Sequence, residues 1–321
     1  MKAFPFLAVV LLAVSSWAFA QTYPDKSRSL KIIVPFGAGS SQDLLARSLG
    51  RGITEVSGLT VFVENRPGAE AVIGMQAAKN SRADGYTLLL TNSSAQVLNV
   101  HTLPQLPYDP VADFVPLVGI AKFSLVMNAR PSLPFKSIRE LIDGARSNPD
   151  KYTYASATAS TRVAMEMFEH QAGIKLKQIP YKTMADATTA LVGGQVDLLM
   201  NDVATVVAYY KSGQLRPLAT TGLTRMAALP NVPTLREAGL PDYELTGWVA
   251  TYFPAHTPPA IVATMQDIVR KAAKTHYVVD ALALASFEPL ELSGDQLTAL
   301  QRSESEKWGK LLRGAGAGGS R

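Results

Sequence analysis

The chain has 321 residues, 47% apolar and 18% charged, which is enough for a large buried core and about two domains at ~150 residues each. Its 31 basic and 26 acidic residues leave a formal charge of +5 without any run of four basic residues, which argues against a nucleic-acid partner. The absence of cysteine excludes a disulfide scaffold, a thiol nucleophile, a cysteine zinc site and an iron–sulfur cluster, and the 4 histidines fall in no metal-binding spacing.

Lys2 precedes an apolar stretch over 3–14, and Ala18-Phe19-Ala20 is followed by Gln21. This is the layout of a secretory signal peptide, 1–20, cleaved after Ala20. The apolar stretch is shorter than the ~20 residues of a spanning helix, and no later run of that kind occurs. A free, exported product in a bacterial periplasm is expected.

Beyond the leader, strand and helix patterns alternate. Residues 30–34 form a short apolar strand ended by Pro35, and a Gly- and Ser-containing loop over 37–41 follows. Leu45, Leu49, Ile53 and Val56 then make a helical stripe. Residues 61–63 predict a strand, 71–80 a helix and 86–90 a further strand, a βαβαβ unit with a parallel sheet. Ser137-Ile138-Arg139-Glu140 predicts a capping box opening a helix. A strand over 152–155 leads to a helix over 161–172 closed by Gly173, with candidate strands at 179–181, 197–200 and 215–219 separated by helical segments. A proline-rich region reaches 244–253, and two helices, 260–273 and 295–312, precede a frayed tail.

The strongest local feature is Val34-Pro35-Phe36-Gly37-Ala38-Gly39-Ser40-Ser41-Gln42-Asp43, between a strand and a helix. Unpartnered N–H groups and the helix dipole make such a loop ready for a carboxylate or phosphate. An ordinary tight turn with Ser40 or Ser41 as N-cap fits equally well. A dinucleotide fingerprint is disfavoured because Gln42 stands where the third glycine belongs. No G-x-S-x-G occurs, and His256 and His276 have no catalytic context. Asn201 and Asp202 end a strand and either face a cleft or, for Asp202, cap the next helix. Aromatics such as Phe36, Tyr154 and Tyr181 at strand ends are candidates for a pocket wall.

The run from Tyr23-Pro24 through Val34-Pro35-Phe36 and Asp43 resembles the periplasmic solute receptors of tripartite tricarboxylate transporters, the Bug-type proteins. Further matches in family order are Val63-Glu64-Asn65-Arg66-Pro67-Gly68-Ala69, Ala83-Asp84-Gly85-Tyr86-Thr87-Leu88-Leu89 and Leu106-Pro107-Tyr108-Asp109-Pro110. Val192-Gly193-Gly194-Gln195-Val196-Asp197, Leu229-Pro230-Asn231-Val232-Pro233-Thr234, Glu237-Ala238-Gly239-Leu240-Pro241 and Lys307-Trp308-Gly309-Lys310 complete them.

The resemblance implies an α/β, two-lobed periplasmic-binding-protein fold of type II-like form. Each lobe is a mostly parallel sheet flanked by helices, with two crossovers between lobes. The expected division is 21–124 plus 250–314 for lobe 1, 125–249 for lobe 2 and 315–321 for a disordered tail. It also implies a monomer without catalysis, cofactor or metal, closing like a flytrap on a small organic acid: a di- or tricarboxylate, an aromatic carboxylate or an amino acid. The partners implied are the membrane subunits of such a transporter. A receptor presenting ligand to a sensor, or an enzyme acting on an acidic metabolite, is the alternative.

Family members hold carboxylates through backbone amides, hydroxyls and ordered water. The matching positions here are Phe36, Gly37, Ala38, Gly39, Ser40, Ser41, Asn92, Ser93 and Ser94 in one lobe. In the other they are Ser156, Thr158, Ser160, Thr161, Arg162, Tyr181, Asn201 and Asp202. Several of these depart from the family pattern: Ala38-Gly39-Ser40-Ser41 replaces a glycine-rich run, Arg162 stands where His is frequent, and Thr183 replaces a Gly. Arg162 meets either a ligand carboxylate in a two-bond fork or, in the blander alternative, solvent.

Overall fold

The computed structural model describes residues 23–314. The expected signal peptide and the tail over 315–321 lie outside the described residues. Within them, β1 (Ser29–Val34), α1 (Ser41–Ser57), β2 (Thr60–Asn65), α2 (Val72–Lys79) and β3 (Thr87–Asn92) realise the anticipated βαβαβ unit. A π-helical turn (Ser94–Leu98) runs into a short α3 (Asn99–Thr102). Next come β4 (Phe114–Ser124), β5 (Val126–Ala129), α4 (Ile138–Ser147), β6 (Thr153–Ser156), α5 (Ala159–Ala172) and β7 (Lys177–Pro180). The chain continues through α6 (Met184–Val192), β8 (Leu198–Asn201), α7 (Val203–Lys211), β9 (Arg216–Thr220) and β10 (Thr246–Pro254). It ends with α8 (Pro259–Ala272), α9 (His276–Ala285), β11 (Glu288–Ser293) and α10 (Gly294–Gly314).

Two sheets carry two lobes. The first has strand order β11-β4-β10-β3-β1-β2 and the second β7-β6-β8-β5-β9. Pairings are parallel for β1 with β2 and β3, and for β6 with β7 and β8. They are antiparallel wherever β10, β11 or β5 takes part. The sheets are therefore mixed, and the expected parallel character survives in strand direction, most strands of each sheet running the same way. For β5 and β10 the reversal has a geometric cause. β5 follows β4 after Leu125 alone, and β10 returns to pair with β4 from Thr246 onward, ahead of residue 250. A strand entering a lobe from the other lobe starts at the cleft and runs away from it, against strands that end there.

Local chemistry explains the helix ends. Ser137 accepts from the Glu140 N–H at 3.2 Å, while the Glu140 carboxylate reaches back to the Lys136 N–H at 2.7 Å, one residue earlier than the predicted box. α5 starts two residues earlier than its pattern suggests, because Thr158 and Thr161 make a reciprocal capping box. In the first lobe Leu45, Leu49 and Ile53 of α1 are buried, and α1 packs on α8 and α9. The second lobe has its own small cluster of Ala155, Leu191, Leu199 and Val206. Among the described residues no helix is long and apolar enough to cross a membrane.

Candidate functional site

A cavity of about 270 Å³ lies between the lobes. Its walls are the segments at and just past the C-terminal strand ends: Pro35 to Ser40 after β1, Pro67 and Gly68 after β2, Asn92 at the end of β3, and Ala157 and Thr158 after β6. Lys182 and Thr183 come after β7, Asn201 ends β8 and Asp202 follows it, while Phe123 near the end of β4 and Leu125 just past it complete the wall. Open α/β sheets bind ligands at this end because each strand hands over there to the N-terminus of a helix. Five helices begin at this cavity. The N-cap residues of α1, α2, α5, α6 and α7, which are Ser40, Ala71, Thr158, Thr183 and Asp202, all line it. Each start brings partial positive charge and N–H groups without an intrahelical acceptor.

The loop before α1 is held by its own side chains. Ser40 accepts from the Asp43 N–H at 3.2 Å, and Asp43 accepts in return from the Gly39 N–H at 2.9 Å. Asn65 donates to the Phe36 carbonyl and to Asp43, at 3.1 and 3.0 Å, and Arg47 also reaches Asp43. Burial works against the Asp43 carboxylate, but Arg47, the Gly39 N–H and Asn65 outweigh it and hold the group below its usual range. Gly39 has φ +78°, the left-handed region that favours glycine. Asp43 is thereby committed to the turn. The Ser41 and Gln42 N–H groups, at the first turn of α1, find no carbonyl within the protein.

Across the cleft, Asn201 donates to Thr188 at 2.9 Å and accepts from the Asp202 N–H at 2.7 Å. Asp202 stands at the N-cap of α7 as one reading anticipates, yet its side chain makes no capping bond. Burial pushes its carboxyl up to about 6, opposed by the Ser41 and Gln42 side chains of the first lobe. Ser160 joins the lobes, its N–H donating to Ser94 Oγ at 3.1 Å.

Of the residues singled out in the sequence, Phe36, Gly37, Ala38, Gly39, Ser40, Asn92, Thr158, Ser160, Thr161, Asn201 and Asp202 are brought together around the cavity. Six are placed otherwise. Ser41 is buried behind the lining, beside Asp202. Ser93 Oγ accepts from the Trp248 N–H and Ser94 Oγ from Ser160, so both tie backbone together. Ser156 Oγ accepts from Gln178, and Tyr181 packs on the second lobe's small cluster. The Arg162 guanidinium is occupied by protein carboxylates. Its Nη2 and Nε meet Glu70 at 3.1 and 3.3 Å, and Glu166 lies 3.5 Å away. Burial disfavours this cation, but Glu70 and Glu166 more than offset that, and its pKa rises.

Glu70 belongs to the first lobe and Arg162 to the second, so this pair spans the cleft outside the cavity. Ala69, Glu70 and Ala71 all have positive φ, a run that sets Glu70 toward Arg162. The Asn99 amide fixes the Glu70 carbonyl at 2.9 Å. Sequence reading passed over several lining residues: Pro67, Gly68, Ala71, Thr188, Thr189, Thr205 and Tyr209. The signal available for α6 and α7 was that each begins directly after a strand, which puts its first turn in the cleft.

A profile described as the tripartite tricarboxylate transporter family receptor matches residues 45–317. The chain is 33% identical over 301 residues to Protein BugT of Bordetella pertussis, covering 93% of this chain and 92% of that protein. Among solved structures, R. palustris Rpa4515 with adipate superposes with a TM-score of 0.86 at 28% identity, over 92% of this chain and 98% of that one. MatC (Rpa3494) from Rhodopseudomonas palustris with bound malate gives 0.83 at 25% identity, over 89% and 99%.

Proposed function

This chain belongs to the receptor family of tripartite tricarboxylate transporters, and from that premise we propose that it captures a small organic acid in the interlobe cavity and delivers it to the membrane subunits of such a transporter. The receptor works as an exported periplasmic monomer, and capture proceeds by closure of the lobes without covalent chemistry. The observation carrying the reading is the convergence of five helix N-termini on one cavity, which favours an anion on any side that faces them. Hydroxyls of Ser40 and Ser160 supply further donors. The relatives with adipate and malate support a carboxylate as the anion.

A thermal-shift panel of organic acids, with sugars and inorganic anions as contrasts, tests the reading. A ligand at 100 times its dissociation constant stabilises the native state by about 2.7 kcal/mol. At ~2–4 °C per kcal/mol that is a rise of several degrees in Tm. If no acid moves the midpoint while a sugar or inorganic anion does, the reading fails.

A further inference from the structure

We propose that the acid bound here carries a protonated nitrogen besides its carboxylate, and that Asp202 accepts from that nitrogen. The inference rests on the carboxylate reading above and narrows the ligand to zwitterions of the amino-acid type.

The charge inventory of the cavity is short. Of its lining residues only Lys182 and Asp202 carry a formal charge at neutral pH; Lys182 is exposed, and Asp202 is 8% exposed. The one buried charge is therefore a carboxylate, facing a site otherwise built of helix starts and hydroxyls. Asp residues at helix N-caps are ordinarily engaged by backbone N–H groups of the first turn. This one is not: its Oδ1 is buried with no donor in hydrogen-bond geometry, and the side chains that stabilise the group from the first lobe, Ser41 and Gln42, are neutral. Ser41 Oγ, behind the opposite wall and beside it, is likewise buried with no partner in hydrogen-bond geometry.

A buried carboxylate whose neighbours are only a neutral hydroxyl and amide keeps an uncompensated charge, and a ligand that brings only further carboxylates to the cavity adds like-charge repulsion to that cost. A neutral hydroxyl supplies one hydrogen bond and leaves the charge uncompensated. An ammonium supplies both the donor and the compensating charge. The acid end then takes the free Gln42 N–H at the start of α1, and the amine end takes Asp202. The cavity of about 270 Å³ admits a small metabolite of this kind.

The test uses matched acids that differ only by an amino group: succinate and aspartate, glutarate and glutamate, adipate and 2-aminoadipate, hydrocinnamate and phenylalanine. Dissociation constants are measured by calorimetry at pH 8 on the wild-type mature protein and on Asp202→Asn. In the pair that binds best, the amino acid is expected to bind the wild type at least ~30-fold more tightly than its amine-free partner, as for a desolvated charge pair. That ratio is expected to fall below about threefold in Asp202→Asn, with the amine-free acid gaining affinity from loss of the repulsion. A wild type that binds the amine-free acid equally or better overturns the inference and leaves the carboxylate reading standing. The same holds for an amino preference unchanged in a folded Asp202→Asn. Binding of none of the eight acids while a sugar or inorganic anion binds defeats both.

Discussion

Replacing either member of the Arg162–Glu70 pair weakens ligand binding, although neither residue lines the cavity. The pair joins the lobes by two charge-assisted bonds of 3.1 and 3.3 Å, with side-chain exposures of 12% for Arg162 and 25% for Glu70. At an effective dielectric of about 20 the Coulomb attraction at this range is ~4 kcal/mol, and desolvation and side-chain ordering remove part of it. A net coupling of about 2 kcal/mol remains, within the range of charged hydrogen bonds. Under the lobe closure proposed above, the contact belongs to the closed state, and its loss falls on affinity by up to ~30-fold. The assay is a double-mutant cycle on Arg162→Ala and Glu70→Ala, read by calorimetric titration with the best acid. Each single variant loses affinity, and the double variant is little worse than either. Removing Glu70 alone discriminates this role from a direct grip on ligand, since an arginine freed from Glu70 would bind an anion as well or better. Unchanged affinity in Glu70→Ala beside a large loss in Arg162→Ala refutes the latch.

The cavity gives two further expected outcomes. A Cβ at Gly37 would lie 3.5 Å from Thr183 Cβ of the other lobe, so Gly37→Leu props the cleft open. Affinity falls at least ~10-fold while the ligand-free Tm changes little, because the added bulk meets only the facing lobe; a large Tm loss contradicts this. Burial raises the Asp202 carboxyl from 3.8 to about 6, so folding favours its neutral form. That contribution is fully present below about pH 4 and is lost as pH rises through 6, at a cost on the order of 3 kcal/mol. Urea unfolding of ligand-free protein at pH 4 and pH 8 should show the wild type falling behind Asp202→Asn at the higher pH. Parallel curves at both pH values refute it.

Fold and site were legible to different depths. The first βαβαβ unit could be read because short apolar strands and a clean α1 stripe alternate with turn residues, and the structure keeps that order. β4 was missed because Phe114 to Ser124 reads as neither an alternating nor a purely apolar strand: Val115 and Pro116 are half-buried and Lys122 is exposed among buried neighbours. β5 has only four residues, and β11 alternates weakly on an exposed edge. The Phe36 to Ser40 loop was visible from its glycines and its place between strand and helix. Arg162 was misplaced for a reason no local pattern reveals. Its partner, Glu70, is 92 positions away and reaches it only through the left-handed turn over 69–71 and the meeting of two lobes. Long-range pairing of this kind is decided by tertiary geometry, whereas helix starts arise from local chemistry.

The helix starts around the cavity are expected to hold the ligand's anionic end. The direct measurement is a backbone-amide NMR titration of the mature protein with the organic acid that raises its Tm most. The largest shifts are expected at Ala38 and Gln42 of the α1 loop and at Met184 and Ala185 in the first turn of α6. Saturating binding that leaves those amides unmoved, with shifts confined to another surface such as the groove between Tyr108 and Gln301, contradicts the account.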